Sequence, residues 1–136
     1  MQHTTNYVNA FIEVAEDCYV ERGTEPPLKE TKSAARYQYE WLTARPYTLT
    51  SDDLLFLLYA HKNNIPHKQH PLEKEAFFSR GQPCMRASDL PKKYGWGIHF
   101  DGDGHMAIYG VETAEYETFK ASPALSHLKA MRSAKK

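Results

Sequence analysis

RGQPCMRASDLPKKYGWGIHFDGDGHMAIYG, residues 80–110, carries the reading of the fold. At its centre, GWGIHF and HMAIYG flank Asp101-Gly102-Asp103-Gly104. Alternating apolar residues on either side of an Asp-Gly pair are the sequence signature of a β-hairpin. Strands are expected over 96–101 and 105–111. A two-residue turn at Gly102-Asp103 or at Asp103-Gly104 puts Ile98 and Phe100 on the same face as Ala107 and Tyr109, which makes that face the core. His99, Met106 and Ile108 then lie on the other. Upstream, Pro83–Ser88 reads as a short strand and residues 89–95 as a loop.

Working outward, FIEVAE within residues 8–16 mixes β-branched and acidic residues without Gly or Pro and reads as an N-terminal strand. Three helices are expected between it and the hairpin. The first, 33–44, turns Ala34, Tyr37, Trp41 and Leu42 inward and stops before Pro46. The second, 51–63, has Thr50 or Ser51 as a cap and Asp52 and Asp53 at its positive end. Its stripe of Leu54, Leu57, Leu58 and His61 makes it the most buried. The third, 71–80, opens on Pro71 and is closed by Gly81. After the hairpin two short helices are expected, one capped by Thr113 and one starting at Ser122-Pro123 with Leu125, Leu128 and Met131 inward, followed by a basic tail, RSAKK. The fold class is α+β: a small, mainly antiparallel sheet of 8–16, 83–88, 96–101 and 105–111, ending in the hairpin, with helices over one face.

A chain of 136 residues fits a single domain, 1–136. Seventeen basic residues balance seventeen acidic ones, so no net field draws nucleic acid or a membrane to the protein. The halves differ: residues 1–60 carry five Lys/Arg against nine Asp/Glu, and residues 61–136 carry twelve against eight. Two cysteines sixty-six positions apart make neither a disulfide scaffold nor a zinc site. With no apolar run of membrane-spanning length and no secretory leader at the N-terminus, the expected location is the cytoplasm.

Four features carry chemistry. DGDGHMAIYGVE, from Asp101, places acids where a calcium loop has them, but His105 stands at the fifth position and Met106 where that loop needs glycine, so no metal is expected there. His61, His67 and His70 lie in a Pro-broken segment without a helical metal spacing. Cys84 precedes Arg86 by two, which in a strand points both to one side, where a guanidinium favours the thiolate. His99 is the available base. Finally, Arg80, Arg86, Lys92 and Lys93 interleave with Tyr94 and Trp96, which suits a phosphate-bearing or aromatic ligand. Zero net charge speaks against nucleic acid.

Arg86 is expected to be partly buried and to organise its surroundings. Its partner is either a carboxylate (Asp89, Asp101, Glu13 or Glu16) or open space lined by Tyr94, Trp96 or His99.

The stretches TTNYVNAFIEVAEDC, TSDDLLF, FFSRGQPCMRAS, LPKKYGWGIHFDGDGHMAIYG and LKAMRS together resemble an uncharacterised family of small bacterial proteins, a domain of unknown function. The resemblance spans nearly the whole chain. It implies a complete single-domain bacterial protein and brings no activity, ligand or catalytic residue with it. The function expected from the residues is binding of a small or anionic ligand by Arg86, Lys92, Lys93, Tyr94, Trp96 and His99, in a pocket between the 80–96 segment and the hairpin. An enzyme using Cys84 or His99, and a single-stranded nucleic-acid binder, are the alternatives. No cofactor is expected, and the oligomeric state is left open.

Overall fold

The computed structural model describes residues 2–133; residues 134–136 of the basic tail lie outside them. Four strands form one sheet: β1 (Ala10–Glu13), β2 (Trp96–Phe100), β3 (Met106–Gly110) and β4 (Ser126–Lys129), in the order β3-β2-β1-β4. The β1–β2 and β2–β3 pairs are antiparallel, while β4 runs parallel to β1. Five helices complete the α+β fold: α1 (Ala34–Ala44), α2 (Ser51–Lys62), α3 (His70–Phe77), α4 (Asp89–Lys93) and α5 (Ala114–Ala121).

The hairpin forms where expected, but its register is one residue off. Phe100 pairs with Met106 and Ile98 with Ile108. The turn holds three residues rather than two: Gly104 N–H donates to the Asp101 carbonyl and Asp101 N–H to that of His105, with Gly104 in the left-handed region at φ +81°. This is the three-residue loop that needs glycine at its last position. One added residue moves Met106 and Ile108 onto the face of Ile98 and Phe100, and sends Ala107 and Tyr109 across with His99. Met106 is accordingly fully buried.

That face, with Ala10 and Ile12 of β1, builds the main core with Leu42, Leu54, Met85 and Leu90. The helices α1, α2 and α4, with Met85 from the segment between α3 and α4, supply these partners and so gather over one face, with α3 against α2. On the reverse, α5 lays Tyr116 and Phe119 over Phe11 at ring separations of 5.0 and 5.5 Å. Gly97 permits this approach, since a Cβ there would stand 2.6 Å from the Phe11 and Tyr116 rings.

Ser33 caps α1, and Thr50 and Asp53 form a reciprocal capping box on α2. The inward face of α1 is Ala35, Arg36, Gln38 and Leu42, not Ala34, Tyr37 and Trp41. Tyr37 turns instead to His61, whose Nε2 lies 3.2 Å from its hydroxyl. His61 is exposed, so the buried stripe of α2 is Leu54, Phe56, Leu58 and Ala60, with Ser51 at its start. No other helix buries as many of its described residues.

Three expectations are corrected. Residues 83–88 do not join the sheet: Met85–Ala87 form a 3-10 turn, closed by Ala87 N–H to Cys84 and Ser88 N–H to Met85. Residues 89–93 are the helix α4 rather than a loop, because Ser88 caps it and Pro91 falls in the first turn, where its missing N–H costs nothing. The second C-terminal helix is the strand β4. Leu128 and the buried Ala130 alternate with the exposed His127 and Lys129, and this period of two, offered an open β1 edge, prevails over the i, i+3 spacing of Leu125, Leu128 and Met131.

Candidate functional site

The cleft that combines enclosure with buried polar chemistry lies where residues 82–89 pass over α1 and α2. Its volume is about 250 Å³. Leu55 and Leu58 of α2, Phe77 and Pro83 give it apolar walls, and Gln38 of α1 and Cys84 give it polar ones. Because the 83–88 segment turns instead of pairing, Cys84 faces the helices and not the sheet.

Gln38 is 5% exposed. Its Oε1 accepts the Ser88 hydroxyl at 2.6 Å. Ser88 Oγ also accepts the Leu90 N–H as the cap of α4, so one hydroxyl links α1 to the start of α4. The Gln38 Nε2 group is left with two hydrogens and no acceptor among the described residues, at the wall of the cleft. No buried side-chain nitrogen or oxygen of the described residues lacks a partner, so this group is reached by solvent.

Cys84 is a free, half-buried thiol. Its sulfur accepts the Tyr7 hydroxyl at 3.3 Å. Burial, followed by the bond to Cys84, pushes the Tyr7 phenol up to about 12, so it remains a donor over the whole neutral range. The Arg86 charge acts on the same phenol in the opposite sense.

The residues singled out in the sequence are dispersed. Arg86 is half-buried and donates through Nε to the Lys129 carbonyl at 2.7 Å, while its own carbonyl accepts the Met131 N–H. It therefore organises its surroundings by holding β4 through a carbonyl partner. The guanidinium sunk deepest is Arg36, bound to Glu25, Glu40 and the Pro26 carbonyl. Lys93 stands 3.9 Å from Asp89. With Lys92 it lines a separate depression beside Cys18 and Tyr19. Trp96 donates to the Thr24 carbonyl and leans on Tyr39, and the Tyr94 carbonyl accepts the Thr24 N–H, so both tie down the 19–32 loop.

His99 lies on the reverse face of the sheet, away from Cys84. Its Nδ1 is 2.8 Å from the Tyr47 hydroxyl, which also meets Tyr109 at 2.8 Å, and its ring stacks on Phe119 at 4.0 Å. Burial lowers its pKa, against the opposing charge of Asp101.

Two other groupings remain. Asp101, Asp103 and His105 place ligand atoms within 4.8 Å of one another, but Asp101 Oδ1 accepts the N–H groups of Asp103 and His105, and these bonds account for the turn. A larger trough, about 530 Å³, runs between α2 and α3 past His67 and His70. Its polar rim is paired or exposed: Lys74 with Asp53, and His70 with the Ile65 carbonyl.

The model of DUF6157, a family of unknown function, matches residues 2–136. The chain belongs to that family. No curated protein and no solved structure matches it significantly. Within this DUF6157 chain no helix of the described residues is long and apolar enough to cross a membrane.

Gln38 and Tyr7 are the functional candidates that sequence reading passed over. For Gln38 the signal was present: it is the one amide on the Ala35–Gln38–Leu42 stripe of α1. For Tyr7, seventy-seven positions from Cys84, there was none.

Proposed function

We propose that this DUF6157 protein binds a small organic molecule in the Cys84 cleft, a ligand with an apolar body and one hydrogen-bond acceptor, such as a ketone or carboxylate oxygen. The observation that carries the reading is the Gln38 side chain, 5% exposed and tied to Ser88 through Oε1, standing at the wall of an otherwise apolar cleft with no protein acceptor for its Nε2 group among the described residues. Leu55, Leu58 and Phe77 would hold the apolar body. The reading keeps the 80–96 segment as part of a ligand site and exchanges its facing surface, taking α1 and α2 in place of the hairpin. Arg86 contributes positive charge beside Tyr7 and Cys84, which favours an anionic acceptor. The proposal also sets the domain in a bacterial cytoplasm, where Cys18 and Cys84 stay reduced.

The side-chain amide signals of glutamine report the test directly. In a uniformly 15N-labelled protein, titration with small cyclic ketones and short carboxylic acids should move the Gln38 pair, assigned by its loss in Gln38→Leu. A set of such compounds that leaves this pair unmoved while shifting signals elsewhere would refute the site.

A further inference from the structure

The run Leu54-Leu55-Phe56-Leu57-Leu58 puts apolar side chains all round one stretch of α2. A helix that is apolar on every side has to be covered on every side. Leu54, Phe56 and Leu58 are buried, and Leu55 walls the Cys84 cleft. Leu57 is left over. It is half-buried, yet it belongs to neither core cluster and is not among the side chains packed against them. Three open depressions meet at it: the α2–α3 trough of about 530 Å³, one of about 400 Å³ beside His61 and one of about 490 Å³ beside Arg45. Trp41 and Leu49 are each shared by two of the three, so the depressions have common apolar walls. None of these side chains lines the Cys84 cleft.

We infer that this groove over Leu57 docks an acidic amphipathic helix of a partner protein. The face that α2 turns to it carries Asp53, Leu57 and His61 at intervals of four, with Phe56 and Ala60 between, which is the spacing of one helix face. From Asp53 to His61 that face is about 12 Å long. Two turns of a second helix, with apolar anchors a turn apart, cover the same length. Small-molecule pockets enclose most of their ligand, whereas these depressions lie open along one side, which suits a helix laid across them. Trp41 and Leu57 are the anchors, and tryptophan is among the side chains that dominate interface energetics.

The rim supplies the sign. Arg45, Lys68 and Lys74 border the groove against one carboxylate, Asp53. Lys74 pairs with Asp53 at 3.1 Å and so is answered within the chain. Arg45 and Lys68, both exposed, pair with no carboxylate among the described residues. Arg45 follows α1 and Lys68 lies in the turn before α3, so one free cation stands on each flank of Leu57. A helix with acids on both sides of its apolar stripe answers both flanks at once. A fatty acid, with one headgroup, answers one.

The experiment pans a phage library of random peptides of about 16 residues, a length that can form a helix, against the full chain. The most enriched peptide is then synthesised with a fluorescein label and its affinity read by anisotropy. Enriched peptides are expected to carry apolar residues one turn apart and more Asp and Glu than Lys and Arg. Leu57→Glu should weaken the labelled peptide about tenfold or more, as loss of a central interface side chain does. Arg45→Glu/Lys68→Glu, which alters exposed side chains only, should weaken it about tenfold too. The double variant should also flatten the dependence on salt between about 50 and about 500 mM NaCl, because flanking charges act through a screened attraction. Thermal melts establish that each variant is folded, and the charge variant decides the matter if Leu57→Glu is not.

An empty selection refutes the groove, as do enriched peptides without an acidic excess or acidic ones that bind both variants as tightly as the parent. Size-exclusion chromatography tests a second occupant: a dimer that Leu57→Glu converts to a monomer would put another copy of this chain on the groove and overturn the partner helix. Isothermal titration with laurate tests a third. Laurate binding that Leu57→Glu abolishes, in a protein that enriches no peptide, would make the groove a site for single-headed amphiphiles and overturn the inference. The Cys84 cleft is tested separately, through the Gln38 amide, and stands or falls on its own.

Discussion

Replacing Ser88 with alanine removes two hydrogen bonds that share one oxygen. The first caps α4 through the Leu90 N–H, and loss of such a cap costs about 1 kcal/mol. The second satisfies Gln38 Oε1, which then stays buried without a donor at a cost of about 1–3 kcal/mol. The sum is about 2–4 kcal/mol. In a domain of 136 residues, where each kcal/mol moves the melting temperature by about 3–5 °C, the transition should fall by about 6–20 °C. The informative measurement is the double variant. Changing Gln38 to leucine in the Ser88→Ala background removes the stranded oxygen, so Ser88→Ala/Gln38→Leu should regain about 1–2 kcal/mol relative to Ser88→Ala alone. Urea unfolding followed by circular dichroism gives both numbers, with the m-value checking that two-state behaviour is kept. A Ser88→Ala protein within about 0.5 kcal/mol of the parent, or a double variant less stable than the single one, would refute the buried Ser88–Gln38 bond as a stabilising link between α1 and α4.

Met106→Ala should cost about 2–5 kcal/mol in the same assay, because the three-residue turn places a fully buried side chain there; under a two-residue turn Met106 would face away from the main core. Gly104→Ala should cost about 1–2 kcal/mol, from a left-handed backbone and a Cβ 3.1 Å from the Tyr7 carbonyl, with its effect visible in denaturant midpoint rather than m-value. His99 has its folded pKa depressed below the ordinary 6.5 by burial, so the unfolded chain takes up its proton first. That contribution to stability is complete above pH 6.5 and is lost as pH falls through the folded value. His99→Gln should therefore lose less stability than the parent between pH 7.5 and pH 5, as read from denaturant midpoints at the two pH values.

The parts of the fold legible in the sequence were those where a local device acts alone. Ser33, Thr50 and Thr113 each announce a helix start, and each accepts the expected backbone N–H. The hairpin was legible as a hairpin, yet its register turned on whether Asp101 closes a turn of two residues or three. That is decided by Gly104 packing against Tyr7, a contact ninety-seven positions distant in sequence. β4 was misread because its alternation spans only a few residues, and only the free edge of β1 gives that pattern its meaning. The site was half legible. Cys84 could be singled out from composition, but the strand geometry that aimed it at Arg86 and His99 gave way to a 3-10 turn, and its actual neighbours come from the N-terminal segment and α1. A buried glutamine on an apolar stripe is visible in a sequence; whether its second hydrogen-bonding end is free depends on a serine fifty residues later.

The placement of β1 between β2 and β4 has a consequence for how the protein is made. β1 occupies residues 10–13, and its ladder partners begin at residues 98 and 126. During synthesis β1 emerges with Phe11 and Ile12 uncovered and waits for both neighbours until residue 129 has left the ribosome. Pairings this distant carry a large loop-closure cost and slow the formation of the nucleus. The helical region 34–77 can collapse in the meantime, but the sheet can close only after residues 126–129 have emerged. Until then an unpaired apolar edge is available to other nascent chains, and a chaperone holding residues 10–13 during that interval would raise the yield of folded protein more than it would alter the stability of the finished domain.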